Sequence, residues 1–447
     1  MLSTRRTAHA ARRSAPTAVD LFAGAGGLSL GLQRAGFRIV CAVENWAPAV
    51  ASYRRNFDHP LVDVDLGSVR ATELPPLLGV RPGEVDLVLG GPPCQGFSIQ
   101  RIGPDADARN NLAVVFADDV AALLPRMFIM ENVPGLLGAR GRELVADLER
   151  RWSRAGYLVR RVVIDAQDYG VPQRRRRVVF CGWRKGTPSP TWPPQPAAAR
   201  RTTVWEAIGD LPSPPPDLSP PPEDPLHRRT RLSELNQERL RHIPPGGGFE
   251  DLPVRLRVDC HKGGAARIGH RNVYGRLAPG EPSATITARF DSFTRGQFAH
   301  PSEDRNITLR EGARLQTFPD TFMFVGTQEE IAAQIGNAVP PTLAEALARE
   351  AYASLTGEEP RHPGGPSTGR GARTDRHHSG DDSGRCPGYG APVLGLPHDR
   401  GSVRTTDGMG RTRAHVGGRR RRRRGARPPA ARGRSSRPTG VRPRRAS

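Results

Sequence analysis

Lysine is almost missing from this chain: Lys185 and Lys262 are the only two in 447 residues, and arginine carries the rest of the positive charge. A bias that runs the whole length points to a GC-rich gene. Cysteine is scarce as well. Cys41, Cys94, Cys181, Cys260 and Cys386 are odd in number, widely scattered and form no CxxC pair. That pattern excludes a disulfide framework and a zinc cluster, so no metal is expected, and free thiols fit a reducing cytoplasm. No run of about 18 apolar residues occurs, which excludes a membrane-spanning helix. The arginines before Asp20 are not followed by an apolar stretch of signal-peptide length, and no internal repeat is present.

The charge that is there is lopsided. The net +22 of the chain includes 22 Arg and 5 Asp between Arg361 and Ser447, a net +17, leaving +5 for the first 360 residues. Overall basicity therefore says nothing about what the folded part binds.

Residues 1–14 read as a disordered basic leader. From Thr17 to about Gly182, short apolar runs alternate with helical patterns. Strands are expected at Ala18–Phe22, Arg38–Glu44, Val85–Gly90, Met127–Asn132, Val159–Asp165 and Arg177–Gly182. Helices are expected at Gly27–Ala35, Asn111–Leu124 and Arg142–Ala155. Repeated strand–helix units of this length predict an α/β fold, a mostly parallel, doubly wound, Rossmann-like sheet. Proline crowds in from Pro188 to Pro225 and sets a boundary near Gly186. The segment 187–301 then reads as a smaller, loop-rich domain with weak strands such as Ala284–Phe290. Thr308 and Glu311 form a capping box that starts a helix, and Thr342–Leu355 is a helix with Leu343, Leu347, Ala351 and Leu355 on one face. The first domain is thus 15–186 completed by 302–356. Residues 357–447 are rich in Arg, Gly, Pro and Ser and cannot support a core.

Two loops carry candidate chemistry. Asp20-Leu-Phe22-Ala-Gly24-Ala-Gly26-Gly27 lies between the first strand and first helix, where glycines let backbone N–H groups approach a ligand. Glu44 ends the second strand, where a carboxylate can accept bonds from both hydroxyls of a ribose. Taken alone, this loop would also suit another nucleotide, a flavin or a plain tight turn. The second loop, Gly90-Gly91-Pro92-Pro93-Cys94-Gln95-Gly96-Phe97-Ser98, follows an apolar strand. Its prolines stiffen the backbone and present the Cys94 thiol from a loop, whereas Cys41 and Cys181 sit in apolar strands as packing. A nearby helix N-terminus or cation would lower the thiol pKa and make Cys94 a nucleophile.

These motifs, with Glu131-Asn132-Val133, Gln173-x-Arg175-x-Arg177, Arg276-Leu277 with Thr285-Ile286, Arg314 to Asp320, and Gly336-Asn337-Ala338-Val339-Pro340, resemble the DNA cytosine-5 methyltransferase family in kind and order, most of all its bacterial restriction–modification members. The likeness runs from about Asp20 to Leu355. It implies transfer of a methyl group from S-adenosylmethionine to C5 of a cytosine flipped out of duplex DNA. By this resemblance Cys94 adds to C6, Glu131 holds N3 and the exocyclic amine, Arg177 contacts O2, and Arg175 orients that cluster or touches phosphate. Phe22, Gly24, Gly26, Gly27, Glu44, Asn45, Asp65, Pro93, Leu112 and Asn337 would bind the cofactor, with Asp63 and Ser68 as alternatives to Asp65. Gln95, Ser98 and Arg276 would contact DNA.

Residues 187–275 match no general family motif, as expected of a segment that reads DNA sequence. They contain His242, Gly246–Gly248, Arg255, Arg257, His261, Lys262, Arg267, His270 and Arg271, types suited to phosphates and guanine edges. Cys260-His261 lacks metal-ligand spacing and reads as structural. The resemblance further implies a cytoplasmic, nucleoid-associated monomer with a restriction endonuclease acting on the same site. Two other readings stay open: a tRNA cytosine-5 methyltransferase, which shares these motifs, and a DNA-binding homologue without activity, against which the intact Cys94, Glu131 and Arg177 argue. The Arg-rich tail is either a nucleic-acid-binding extension or a frameshifted, unselected one.

Overall fold

The computed structural model describes residues 15–93, 112–196, 200–258 and 273–358. The leader, Cys94, Gln95, Ser98, the Cys260–Arg271 stretch and the tail lie outside the described residues. Every described residue belongs to one compact unit.

Seven strands form one sheet: β1 (Thr17–Leu21), β2 (Arg38–Glu44), β3 (Leu61–Asp63), β4 (Leu87–Gly90), β5 (Met127–Asn132), β6 (Tyr157–Asp165) and β7 (Arg176–Arg184). Their order is β3-β2-β1-β4-β5-β7-β6. The first five are parallel, and β7 inserts antiparallel between β5 and β6. The expected doubly wound architecture is observed. Alternation along each strand explains it, because successive side chains point to opposite faces and both faces are covered. Leu87, Leu89, Met127, Ile129, Val179 and Cys181 enter one core, and Val88, Phe128, Met130, Val178 and Phe180 enter the other.

The first core is roofed by α1 (Gly27–Arg34) and by the last helix, α10 (Pro341–Thr356), whose Leu343, Leu347, Ala351 and Leu355 are buried as the periodicity predicts. These helices approach closely at Gly31, where an added Cβ would stand 2.4 Å from that of Ala344. The second core lies under α4 (Leu112–Leu123) and α5 (Arg142–Arg154), through Phe116, Val120, Leu148 and Trp152. The sheet and the last helix therefore close around one another, with the segment between them inserted.

Between α1 and β4 lie α2 (Ala47–Asn56) and the short α3 (Leu74–Leu77). The inserted segment carries α6 (Val204–Ile208), α7 (Glu234–Arg241) and a parallel pair, β8 (Gly275–Arg276) and β9 (Gln297–Ala299). Its apolar residues, among them Leu240, Phe249, Leu277, Phe290 and Phe298, share a core with Tyr53, Phe57 and Phe318. The strand expected at Ala284–Phe290 is not formed. One bridge, Gln173 to Ser283, pins its start, and the rest is irregular with Ile286 and Phe290 buried. The chain then enters α8 (Leu309–Leu315) through the expected capping box, with Glu311 N–H donating to Thr308 Oγ1 and Thr308 N–H to Glu311 Oε2. A further helix, α9 (Gln328–Asn337), follows.

Candidate active site

The sheet order reverses direction between β1 and β4, and ligands in open α/β sheets bind outside the carboxyl ends of strands at such a point. Both motif loops leave the sheet there. After β1 the chain takes left-handed conformations at Phe22 (φ 58°), Gly24 (φ 57°) and Gly26 (φ 106°) before α1 begins. Gly26 cannot be replaced cheaply, since a Cβ would stand 2.3 Å from the Phe57 ring; at Gly24 the space within 4 Å is empty. Gly24 N–H donates to Glu44 Oε2 at 2.8 Å, and the N–H groups of Asn45 and Trp46 donate to Glu44 Oε1 at 2.9 and 2.8 Å. Glu44 thus ties the tip of the glycine loop to the end of β2. Trp46, passed over in the sequence, presents a partly exposed indole beside it; an aromatic two residues beyond the acid was its signal.

Asp65 caps a short 3₁₀ turn by accepting from Gly67 N–H at 2.9 Å. A Cβ on Gly67 would lie 3.2 Å from Asp65 Oδ1 and 3.4 Å from Leu112, so Asp65 and Leu112 share one rim. Asp63 instead faces Arg54 at 4.0 Å. Gly27 lies under Val339, its would-be Cβ 2.3 Å from that carbonyl, which brings the exposed Asn337 to the same end of the sheet.

The second loop starts against the other candidates. A Cβ on Gly91 would be 3.5 Å from Glu131 Oε2. Asn132 Nδ2 donates to Pro92 O at 3.1 Å and so holds the loop to the end of β5. Pro93 is exposed. Cys94 is the next residue in the sequence and lies outside the described residues. Glu131 and Arg177 stand on neighbouring antiparallel strands, with Arg177 Nε 2.7 Å from Glu131 Oε1. The N–H does not point along that contact, and the buried Oε1 has no aligned donor. A buried carboxylate oxygen in that state is ready for a donor from a ligand.

The contacts of Arg175 suit the orienting role and not the phosphate contact, and the expectation for Arg276 needs correction. Arg175 is buried and its guanidinium is committed to carbonyls, Nη1 to Ile286 and Nη2 to Gly336 and Ala338. Burial and the adjacent Arg177 cation press its pKa down, and Glu131 opposes them. It is a positioning residue that ties the β7 entry to the inserted segment and the last motif. Arg276 does not face DNA. It is 4 % exposed and donates to the carbonyls of Leu240, Ile243, His300 and Glu303 and to Asp304. Those five bonds use every N–H of a guanidinium. Of the recognition candidates, Arg255 pairs with Glu238 and Arg257 donates to the Leu252 and Glu250 carbonyls.

The family model for C-5 cytosine-specific DNA methylase matches residues 17–353. The chain belongs to that family. This methylase is 36 % identical over 348 residues to the type II methyltransferase M1.HphI of Haemophilus parahaemolyticus, covering 76 % of this chain and 88 % of that one. It is 34 % identical over 421 residues to M.AgeI of Thalassovita gelatinovora, covering 74 % and 97 %. Among solved structures, a prophage-encoded protein of E. coli described as a DNA modification methyltransferase superposes with a TM-score of 0.60 at 27 % identity, covering 77 % of this chain and all of that one. The methylase is therefore a C-5 cytosine DNA methyltransferase, and such an enzyme requires a methyl donor. Among the described residues no helix is long and apolar enough to cross a membrane and no group of His, Cys, Asp and Glu could hold a metal.

Proposed function

We propose that this methyltransferase acts on a cytosine extruded from duplex DNA, with S-adenosylmethionine as donor and Cys94 as covalent nucleophile, in a type II modification system. The observation that carries the reading is the Glu131–Arg177 pair, whose carboxylate lacks an aligned donor and borders the loop that leads to Cys94. The residues at the glycine loop fit the donor: an open space over Gly24, a carboxylate at Glu44, and a rim of Phe22, Asn45, Asp65, Leu112 and Asn337. When bound there, S-adenosylmethionine supplies an electrophilic methyl group on a sulfonium.

The chain's own residues do the rest. C5 of cytosine is a poor nucleophile within an aromatic ring. Addition of the Cys94 thiolate at C6 breaks the aromaticity and makes C5 enamine-like. Glu131 holds N3 and the exocyclic amine, which requires a proton on the carboxyl or on N3, and the proton at N3 absorbs the developing charge. Arg177 reaches O2 while its Nε neighbours Glu131, so one pair fixes two edges of the base. Loss of the C5 proton then allows Cys94 to leave. The reactive edge is closed inside a duplex, so the base must be extruded; Gln95 and Ser98, in the same sequence motif as Cys94, would meet the DNA.

In the same reading residues 15–186 and 302–356 carry the chemistry, 187–301 reads the target, and the enzyme works as a cytoplasmic monomer alongside an endonuclease of the same specificity. The test is DNA containing 5-fluorocytosine at the target, since fluorine cannot leave as a cation. Wild-type protein with S-adenosylmethionine should form an adduct stable to denaturation, and Cys94→Ser should form none. An adduct in Cys94→Ser puts the nucleophile elsewhere; an adduct on tRNA in place of DNA overturns the substrate.

A further inference from the structure

Beneath the glycine loop lies a group that the mechanism does not use. Asp20, the fourth residue of β1, is fully buried four residues before Gly24. Its Oδ2 accepts from Ser29 Oγ at 2.7 Å, and its Oδ1 has no hydrogen-bond partner. Ser29 Oγ is 2.5 Å from Tyr53 Oη, and Tyr53 Oη is 2.5 Å from His59 Nε2. Ser29 and Tyr53 are fully buried, whereas His59 is only half-buried. An unbroken line of short hydrogen bonds therefore joins a buried carboxyl under the donor loop to a ring at the surface.

The line has two complete arrangements. In one, Asp20 is neutral and its proton points to Ser29, Ser29 points to Tyr53, and Tyr53 points to an unprotonated His59 Nε2. In the other, each of those three protons has advanced one bond. Asp20 is then a carboxylate, His59 is an imidazolium, and every O–H donates inward. No bond is broken other than three O–H bonds, and three are remade as two O–H and one N–H.

We propose that Asp20, Ser29, Tyr53 and His59 form a proton-transfer chain that sets the charge beneath the donor loop, and so makes the enzyme favour the sulfonium donor over the uncharged thioether product. The inference rests on the donor site proposed above. With a cation over the loop the inward arrangement is favoured, because it places a carboxylate under it. With a neutral sulfur the outward arrangement is favoured, because a bare carboxylate would be buried beside the like-charged Glu44. The groups facing the chain agree. Burial, and less strongly the Glu44 carboxylate, push Asp20 up to about 7, while its Ser29 bond holds it down. Burial also raises Tyr53, helped by Asp20 and Cys41, so that hydroxyl relays a proton without ionising. His59 is lowered by burial against the opposing charge of Asp58. The proton reaching it at neutral pH therefore passes on to solvent.

The test is binding, not turnover. S-adenosylmethionine and S-adenosylhomocysteine carry the same amino and carboxylate groups and differ at sulfur, so the ratio of their dissociation constants isolates that charge. In wild-type protein the preference for S-adenosylmethionine should rise several-fold from pH 6 to pH 8. Calorimetry at pH 7 in buffers of different ionisation enthalpy should show more proton release with S-adenosylmethionine than with S-adenosylhomocysteine. Asp20→Asn should abolish both effects. Tyr53→Phe, which keeps the carboxyl and removes one relay hydroxyl, should flatten the ratio against pH. Equal proton release for the two ligands, or the wild-type slope persisting in both variants, overturns the chain. Failure of S-adenosylmethionine to bind wild-type protein in equilibrium dialysis overturns the donor site itself.

Discussion

The side-chain amide of Gln173 donates to the side-chain oxygen of Gln316 at 2.8 Å, and neither residue is exposed to solvent. Gln173 Oε1 also accepts from Ile286 N–H at 2.9 Å, and Gln316 Nε2 donates to Ile335 O at 2.5 Å. Two amides thus join the entry to β7, the inserted segment and the helix that ends at Asn337. Arg175 repeats the connection through Ile286, Gly336 and Ala338. Arg177, two residues on, takes its place beside Glu131 from this joint.

Gln173→Ala should cost more than the loss of one hydrogen bond. It leaves Ile286 N–H and Gln316 Oε1 buried without partners, and each orphaned group costs about 1–3 kcal/mol. The expected outcome is a lower urea midpoint and a clear fall in turnover, with donor affinity little changed. Gln173→Glu keeps the acceptor for Ile286 but loses the donor for Gln316, and should fall between. Donor affinity dropping in step with turnover would mean that the joint supports the whole sheet and not the Arg177 side of the site.

Glu131→Gln and Glu44→Ala should separate along different measurements. The first removes the carboxyl expected to act on the base, so single-turnover rates should drop about 10²–10⁴-fold with donor binding nearly intact. The second removes the acceptor for the N–H groups of Gly24, Asn45 and Trp46, so it should weaken donor binding first. Matching changes in both constants for both variants would undo the division of the site into two halves.

Strands whose apolar runs are continuous were legible to the residue, as at Arg38–Glu44 and Met127–Asn132, because burial on both faces leaves no polar interruption. The helix Gln328–Asn337 was not read, although its capping box of Thr327 and Glu330 was present as a signal. The inserted segment was harder for a physical reason. Its order comes from arginine and glutamine side chains bonded to backbone carbonyls far along the chain, and such pairings have no period. Arg276 shows the consequence: a basic residue at the end of a recognition segment suggests DNA, yet its five bonds all point inward. Glu131 and Arg177 stand out in the sequence through the resemblance of their motifs, and the structure sets them side by side on neighbouring strands. The chain from Asp20 to His59 was not legible, since only folding brings β1, α1 and the loop after α2 together.

Stability should fall in mild acid through His300. This ring is buried beside Glu311, Glu303 and Arg305, and accepts from the N–H groups of Ser302 and Glu303 at Nδ1. Burial lowers its pKa from the ordinary 6.5 to about 4, against the pull of Glu311. Between those values the unfolded chain binds a proton that the folded one does not, so stability drops as pH falls from about 6.5 to about 4. His300→Gln, which retains an acceptor, should flatten the slope of the urea midpoint over that range. An unchanged slope would place the acid-sensitive group elsewhere.

Truncation after Glu359 tests the arginine-rich tail. The family model ends at residue 353, and the last described helix ends at Thr356 with Gly357 closing it in a left-handed turn. The segment beyond carries most of the chain's net charge. The truncated protein should keep its fold, its turnover and its target sequence. What it should lose is affinity for DNA of any sequence, most visibly at low salt, because arginines bound to phosphate act through counterion release and not through base edges. A plot of affinity against salt should therefore be shallower after truncation, with bisulfite mapping unchanged. If the truncated protein folds but methylates at neither low nor physiological salt, the tail takes part in catalysis. If the salt slope is unchanged, its arginines do not touch DNA at all.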